Sequence, residues 1–359
     1  MDRAIAPMGP PAPFKSQPVV LFDHANVDRF PASHGIPRAV SAARETARRD
    51  LSVAFGKELT NHAVTRLRRS LHFVPGGNAR MLAKALGSNA DSLILDLEDA
   101  VTPERKDEAR GVVASWLAEA DFGAKEKTVR MNPLDTPWGF ADLEATMATP
   151  PDAYVVPKPE TGEGLNAIDV ELSRLERLHG HPHRGIGLIL IAAETPLGAL
   201  NVPTLPACPR VQAMSWGAED LSATLGVPTN RDESGNYLPV YQHCRVVTLL
   251  SAAAAGVQPI DAVYVDFRDV DGLRAECEQG ARLGFTGKIS IHPNQIDVIN
   301  AAFTPSAEDV AGALALIEAF DQARAEGRMA FTFNGQMVDA PHLSRARALV
   351  ERARQIEAR

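Results

Sequence analysis

The stretch Ser-Leu-Ile-Leu-Asp-Leu-Glu-Asp-Ala-Val at 92–101 ends an apolar run in three carboxylates, Asp96, Glu98 and Asp99. Similar apolar runs elsewhere end in Arg130 and Asn132, Lys158, Glu194, Glu219 and Asp220, Asp266, and His292. Carboxylates dominate this set, sulfur is absent and histidine is scarce. Such a donor set suits a hard cation bound through oxygen, with Mg²⁺ held by one or two carboxylates plus water and substrate. Glu194 follows an unbroken apolar or glycine segment and Asp220 closes the next one, so neighbouring strands can aim both at one ion; they are read as the metal ligands. Asp96 and Glu98 share one strand parity and Asp99 has the other, so a strand reaching residue 99 cannot point all three alike.

Each residue also has a plainer reading. An acidic residue just after a strand commonly caps the next helix, which suits Asp99 or Asp269 taken alone. Arg130 serves either the chemistry or as a structural partner of the Asp96–Asp99 cluster. Lys158 in Val-Pro-Lys-Pro-Glu has the type of a Schiff-base nucleophile, but its flanking prolines and the surplus of carboxylates favour a cation that positions charge. His292 reads as a hydrogen-bonded strand-end histidine before a base.

The elements that must carry these residues alternate. Short apolar strands are expected at 70–76, 92–99, 127–133, 153–159, 185–196, 211–220, 261–269 and 287–293, with helix-compatible segments between them. Eight parallel strands over about 230 residues match a closed (β/α)₈ TIM barrel, in which functional groups gather at the C-terminal strand ends. An open doubly wound sheet is the competing architecture. It loses support because the first turn, VPGGNARM, is not G-x-G-x-x-G and no P-loop pattern occurs. The barrel is assigned to 66–303, an N-terminal extension to 1–65, and C-terminal helices with a loop to 304–359. Ser306 reads as the N-cap of a helix over 306–327, with Glu308 in its first turn. The loop 329–342 and a final helix, 343–358, suggest a lid or an inter-subunit element.

The 359-residue chain has a formal net charge of −8, which disfavours a broad phosphate-binding surface and hence nucleic acid as a partner. No apolar run has the length of a membrane span. Three dispersed cysteines, Cys208, Cys244 and Cys277, give no disulfide framework and fit a reducing, cytoplasmic setting. The proline-rich start lacks secretory-signal order; the basic stretch 37–50 reads as a flexible or packing arm before a targeting segment.

Nine motifs in order resemble one family: RRSLHFVPGGNARMLAKAL, ADSLILDLEDAV, VRMNP, VPKPE, LIAAETPLGALN, SWGAEDL, GFTGKISIHPNQ, FTPS and NGQMVDAPH, from about residue 67 to 355. Together they resemble the citrate lyase β-subunit-like branch of the HpcH/HpaI aldolase superfamily. The resemblance implies a TIM barrel with one Mg²⁺, forming homotrimers or homohexamers and acting on 3-hydroxyacyl-CoA thioesters. By motif it implies Glu194 and Asp220 as metal ligands and Glu98 and Asp99 as holders of metal-bound water. It implies Arg130 as the group that stabilises a thioester enolate, and Asp339 as a proton-transfer group supplied by a neighbouring subunit. The resemblance also implies Arg69 as a residue that contacts coenzyme A, and His292 and Gln295 as part of a segment near it. The implied reaction is cleavage of malyl-CoA or citramalyl-CoA to acetyl-CoA and a 2-oxo acid. A malyl-CoA thioesterase, an acyl-carrier-dependent citrate lyase β subunit and a non-catalytic regulator are the alternatives. The chain departs from the pattern in its long N-terminal extension, in YQHCRVV at 241–247 and in the insertion-like PTNRDESGNYLP at 228–239.

Overall fold

The computed structural model of the chain describes residues 66–359; the expected extension 1–65, with its basic stretch 37–50, lies outside the described residues. Eight parallel strands close a barrel in sequential order: β1 (Ser70–Pro75), β2 (Ser92–Asp96), β3 (Glu126–Arg130), β4 (Ala153–Val156), β5 (Gly187–Ala192), β6 (Val211–Trp216), β7 (Gln258–Asp261) and β8 (Gly287–Ser290). Between them run α1 (Ala79–Leu86), α2 (Lys106–Glu119), α3 (Gly139–Thr146), α4 (Gly162–His179), α5 (Pro196–Asn201), α6 (Ala218–Leu225), α7 (Pro239–Ala255) and α8 (Val270–Leu283). After β8 come α9 (Pro293–Ala302), α10 (Ala307–Ala325), a hairpin of β9 (Phe331–Phe333) and β10 (Gln336–Val338), and α11 (Ala340–Glu357).

The strands are buried on both faces, which is why they read as near-continuous apolar runs. Leu71, Ile94, Val155, Ile189, Ile191, Ile260 and Ile289 fill the barrel interior, while their alternating neighbours Val74, Leu93, Leu95, Val129, Leu188 and Leu190 face the helices. Parity therefore sends Asp96, two residues beyond Ile94, to the inside. Caps bound several of the helices: Thr195 accepts from Gly198 N at 3.0 Å to start α5, and α4, α6, α7 and α8 each stop at a left-handed glycine.

All eight strands end before the expected bounds, and at two of them the difference bears on the site. β2 stops at Asp96, three residues early, because Asp96 accepts from Glu98 N at 2.9 Å and Ala100 N at 3.3 Å and so turns the chain. The parity argument for Glu98 and Asp99 no longer applies. β7 occupies 258–261 instead of 261–269; Asp266 lies in an exposed turn where it accepts from Arg268 N at 3.0 Å, and it leaves the set of strand-end residues.

Ser306 caps α10 in a capping box with Asp309. The Asn334–Gly335 turn of the β9–β10 hairpin has φ of +47° and +78°, the left-handed geometry that suits a two-residue hairpin. Phe331 packs edge-on against Phe320 of α10, and α11 buries Ala346 and Val350 with Ala313 of α10. The far end of α11 is latched to the N-terminal face of the barrel: Arg352 donates to Phe303 O and Thr286 O, and Arg359 pairs with Asp91. The hairpin thus packs on its own helices rather than as a cover held to this chain's barrel mouth. Among the described residues no helix is long and apolar enough to cross a membrane, and Cys208, Cys244 and Cys277 are free and buried.

Candidate active site

The mouth at the C-terminal strand ends is organised by Arg130, the last residue of β3. Asp96 lies directly opposite it in the β2–β3 register and accepts from Nε and Nη2 at 2.7 Å each, a bidentate clamp. The Phe73 ring stacks 4.6 Å from the guanidinium carbon. Nη1 is the nitrogen that Asp96 does not engage; it lies 2.9 Å from Glu98 Oε2 and 3.9 Å from Asp99 Oδ2. The Glu98 contact is a charge contact without hydrogen-bond geometry, so Oε2 remains a buried oxygen with no hydrogen bond. Burial disfavours the Arg130 charge, but the Asp96 hydrogen bonds and the Asp96, Glu98 and Glu194 charges outweigh it and raise the pKa above its ordinary value.

Lys158, just past β4, reaches into the same cluster. Its ammonium hydrogen-bonds Glu98 and lies 3.3 Å from both Asp99 Oδ2 and Asp220 Oδ1. Its backbone N–H donates to Glu194 Oε2 at 2.6 Å. Lys158 has φ +49°, and Ala193, preceding Glu194, has φ +56°. Both are non-glycine residues in the left-handed region, a strain of about 1 kcal/mol or more each that concentrates at functional sites.

Glu194 is buried, and Gly217 makes room for it: a Cβ on Gly217 would stand 2.4 Å from Glu194 Cγ. That explains the glycine of Gly-Ala-Glu-Asp. Burial first, then the Asp220 charge, pushes the Glu194 carboxyl well above the usual carboxylate range. Burial likewise raises Glu98 against the pull of Arg130 and Lys158, while Lys158 and Arg130 overcome burial at Asp99 and lower it. Asp220 sits in the first turn of α6, half-open to solvent. A buried carboxylate and a half-open one that repel each other at the mouth call for a cation, and their donors are all carboxylate oxygens. Among the described residues there is no group of three or more His, Cys, Asp and Glu side chains shaped to hold a metal. A two-carboxylate site completed by water and substrate is the Mg²⁺ pattern, so Glu194 and Asp220 fit Mg²⁺ and do not fit zinc.

Other expected site residues stand elsewhere. Arg69 precedes β1 and so lies at the N-terminal face, where it pairs with Asp91 at 2.9 Å and donates to Thr304 Oγ1; within one chain it does not reach the mouth. A cavity of about 650 Å³ opens near it, between Arg66, Asp91, Lys127 and Arg359, and contains none of the mouth residues. Gln295 is buried with its amide engaged: Oε1 accepts from Ile291 N and His292 N, and Nε2 donates to Tyr264 O. It is a brace for the β8–α9 loop rather than a free ligand contact. His292 remains at the C-terminal face, capping α9 and stacked 4.7 Å from Phe267. Asn132 is a second brace, donating to Leu97 O and Asp142. Asp339 caps α11 and lies 2.6 Å from His342 Nδ1, 46% exposed; within one chain its partner is His342, and it does not meet Arg130.

The sequence offered Arg130 as a structural partner of the Asp96–Asp99 cluster without assigning Asp96 itself, and the structure selects Asp96, whose parity with Ile94 was the available signal. Another relationship escaped the sequence. Glu219 is held by Asn230 Nδ2 at 2.8 Å, which ties the 228–239 segment to the residue beside Asp220. That segment folds back through the Arg231–Tyr237 bridge, with Arg231 stacked 3.7 Å over the Tyr237 ring.

Residues 69–293 match the family model described as HpcH/HpaI aldolase/citrate lyase. A (3S)-malyl-CoA thioesterase of Cereibacter sphaeroides is 37% identical over 290 residues, covering 81% of this chain and 96% of the relative. The mitochondrial citramalyl-CoA lyase of Rattus norvegicus is 35% identical over 310 residues, covering 83% and 89%. The crystal structure of CitE from Mycobacterium tuberculosis, in complex with magnesium, acetoacetate and coenzyme A, superimposes with a TM-score of 0.66 at 34% identity, covering 80% of this chain and 98% of CitE. With its closed eight-stranded barrel and a carboxylate-lined mouth, the chain belongs to the HpcH/HpaI aldolase/citrate lyase family of enzymes.

Proposed function

We propose that the chain is a Mg²⁺-dependent carbon–carbon lyase that cleaves a 3-hydroxyacyl-CoA, malyl-CoA or citramalyl-CoA in type, into acetyl-CoA and a 2-oxo acid. The observation that carries this reading is the clamped Arg130, with one guanidinium nitrogen left beside Glu98 and Asp99 at the same barrel mouth as Glu194 and Asp220. The magnesium- and coenzyme-A-bound CitE and the citramalyl-CoA lyase support it. When bound at Glu194 and Asp220, Mg²⁺ supplies Lewis-acid polarisation of the hydroxy-acid end of the substrate. Arg130 then faces the thioester carbonyl. As the carbon–carbon bond breaks, its fixed charge meets the negative charge growing on that oxygen with little reorganisation. Asp339, brought by a neighbouring copy in a trimer or hexamer, takes the proton of the substrate hydroxyl as that oxygen becomes the carbonyl of the 2-oxo acid, and returns it to the enolate carbon to give acetyl-CoA.

A thioesterase is the second reading, favoured by the relative from Cereibacter sphaeroides. Incubating the full chain with malyl-CoA and citramalyl-CoA, with and without Mg²⁺, and identifying products by mass separates them. Acetyl-CoA with glyoxylate or pyruvate marks the lyase. Free malate or citramalate with free coenzyme A marks the thioesterase and overturns the lyase. Dependence on a copurifying acyl carrier would point instead to a citrate lyase β subunit.

A further inference from the structure

Lys158 touches four carboxylates at once. Its ammonium contacts Glu98, Asp99 and Asp220, and its backbone N–H holds Glu194. A cation gripped by Glu194 and Asp220, with water on Glu98 and Asp99, would call on the same four carboxylates. We propose that Lys158 is an internal counter-ion of this site: its ammonium neutralises the carboxylates before the divalent cation arrives and leaves Asp220 and the Glu98–Asp99 pair when the cation binds. The inference rests on the Mg²⁺ reading of the site and adds to it a residue that competes with the metal.

The geometry separates this role from two others. A Schiff-base nucleophile needs a neutral amine with room for a carbonyl carbon, whereas this nitrogen is hydrogen-bonded to Glu98 and lies 3.3 Å from each of two further carboxylates. A permanent brace would keep the ammonium 3.3 Å from Asp220 while Asp220 also holds a dication, placing like charges at short range in a partly dry pocket. The anchor and the mobile part are distinct. The backbone, in its left-handed conformation, is pinned by Glu194, while a flexible four-carbon stem carries the charge and is 27% exposed, open enough to swing toward solvent. Lys158 is thus a positioning residue that sets metal affinity.

The test is calorimetric Mg²⁺ titration of the metal-stripped full chain, wild type against Lys158→Met, paired with melting curves at zero and saturating Mg²⁺. Lys158→Met is expected to bind Mg²⁺ about tenfold more tightly, the scale of one close charge coupling. It is also expected to melt below wild type without Mg²⁺, with the gap closing at saturation because the metal replaces the missing ammonium. A brace would leave the gap open at both concentrations. Lys158→Gln gives the same comparison if the Met variant does not fold. Equal or weaker Mg²⁺ binding by the neutral variant, or a melting gap that persists at saturation, overturns the inference while leaving the metal site standing. Absence of Mg²⁺ binding by wild type overturns the metal site and this inference together.

Discussion

Asp96 and Arg130 face each other across β2 and β3, and both carboxylate oxygens accept from the guanidinium at 2.7 Å. Asp96 is itself held by two backbone N–H groups, from Glu98 and Ala100, so the orientation of Arg130 is inherited from the turn that ends β2. Asp96→Asn keeps the shape and loses one half of the fork. It is expected to lower kcat about a hundredfold, the effect of a misplaced catalytic group, with little change in KM for the thioester. Stability falls by about 2 kcal/mol because a buried arginine loses its charge partner. Steady-state kinetics and urea denaturation on one preparation read both; an unchanged kcat would remove Asp96 from the positioning of Arg130.

Asp220 is expected to separate metal binding from folding. Its side chain is 34% exposed and sits in the first turn of α6, so Asp220→Ala should change stability by only about 1 kcal/mol or less. The same change should abolish Mg²⁺-dependent turnover and calorimetric Mg²⁺ binding. A variant that still binds Mg²⁺ with wild-type affinity would refute its assignment as a ligand.

Gly217 offers an indirect probe of Glu194. In Gly217→Ala the new methyl group would stand 2.4 Å from Glu194 Cγ and 3.1 Å from its Oε1, so Glu194 must move. Mg²⁺ affinity should drop about tenfold or more, with a stability loss of about 1–3 kcal/mol typical of overpacking. Retained Mg²⁺ affinity together with the stability loss would show that the position of Glu194 is immaterial to the metal.

His72 makes stability depend on pH. It lies buried on β1 with Nδ1 2.8 Å from Ser290 Oγ. Burial lowers its imidazole from 6.5 to about 4, with the backbone bond at Ser290 opposing and the nearby His292 assisting. The unfolded chain takes up this proton below about pH 6.5 and the folded chain only near 4. Stability therefore declines as pH falls between those values, by up to about 3 kcal/mol from this group. Denaturation of wild type and His72→Gln at pH 7 and pH 5 should show a shallower pH dependence in the variant. Parallel profiles would mean that His72 titrates normally.

The order of strands and helices was legible in the sequence because each barrel strand carries its own local signature, an apolar run buried on both faces and ended by a polar tip. The residue types of the proposed metal pair were legible for the same reason: Glu194 and Asp220 close two successive runs. Strand ends were less so. Ala262 and Val263 continue the apolar pattern of β7 into the loop that holds Asp266, and burial there comes from packing, not pairing. Arg69 shows that a motif is not a location. It precedes β1, and a side chain ahead of a barrel strand belongs to the face opposite the mouth. The Asp96–Arg130 clamp spans 34 residues and the Lys158–Glu98 contact spans 60. Such pairings depend on register and on how far a side chain reaches across the closed mouth, quantities that no local pattern encodes. The sequence by itself determined the barrel and the chemical character of its rim; only closure of the barrel decided which carboxylate holds the arginine and which ones share the lysine.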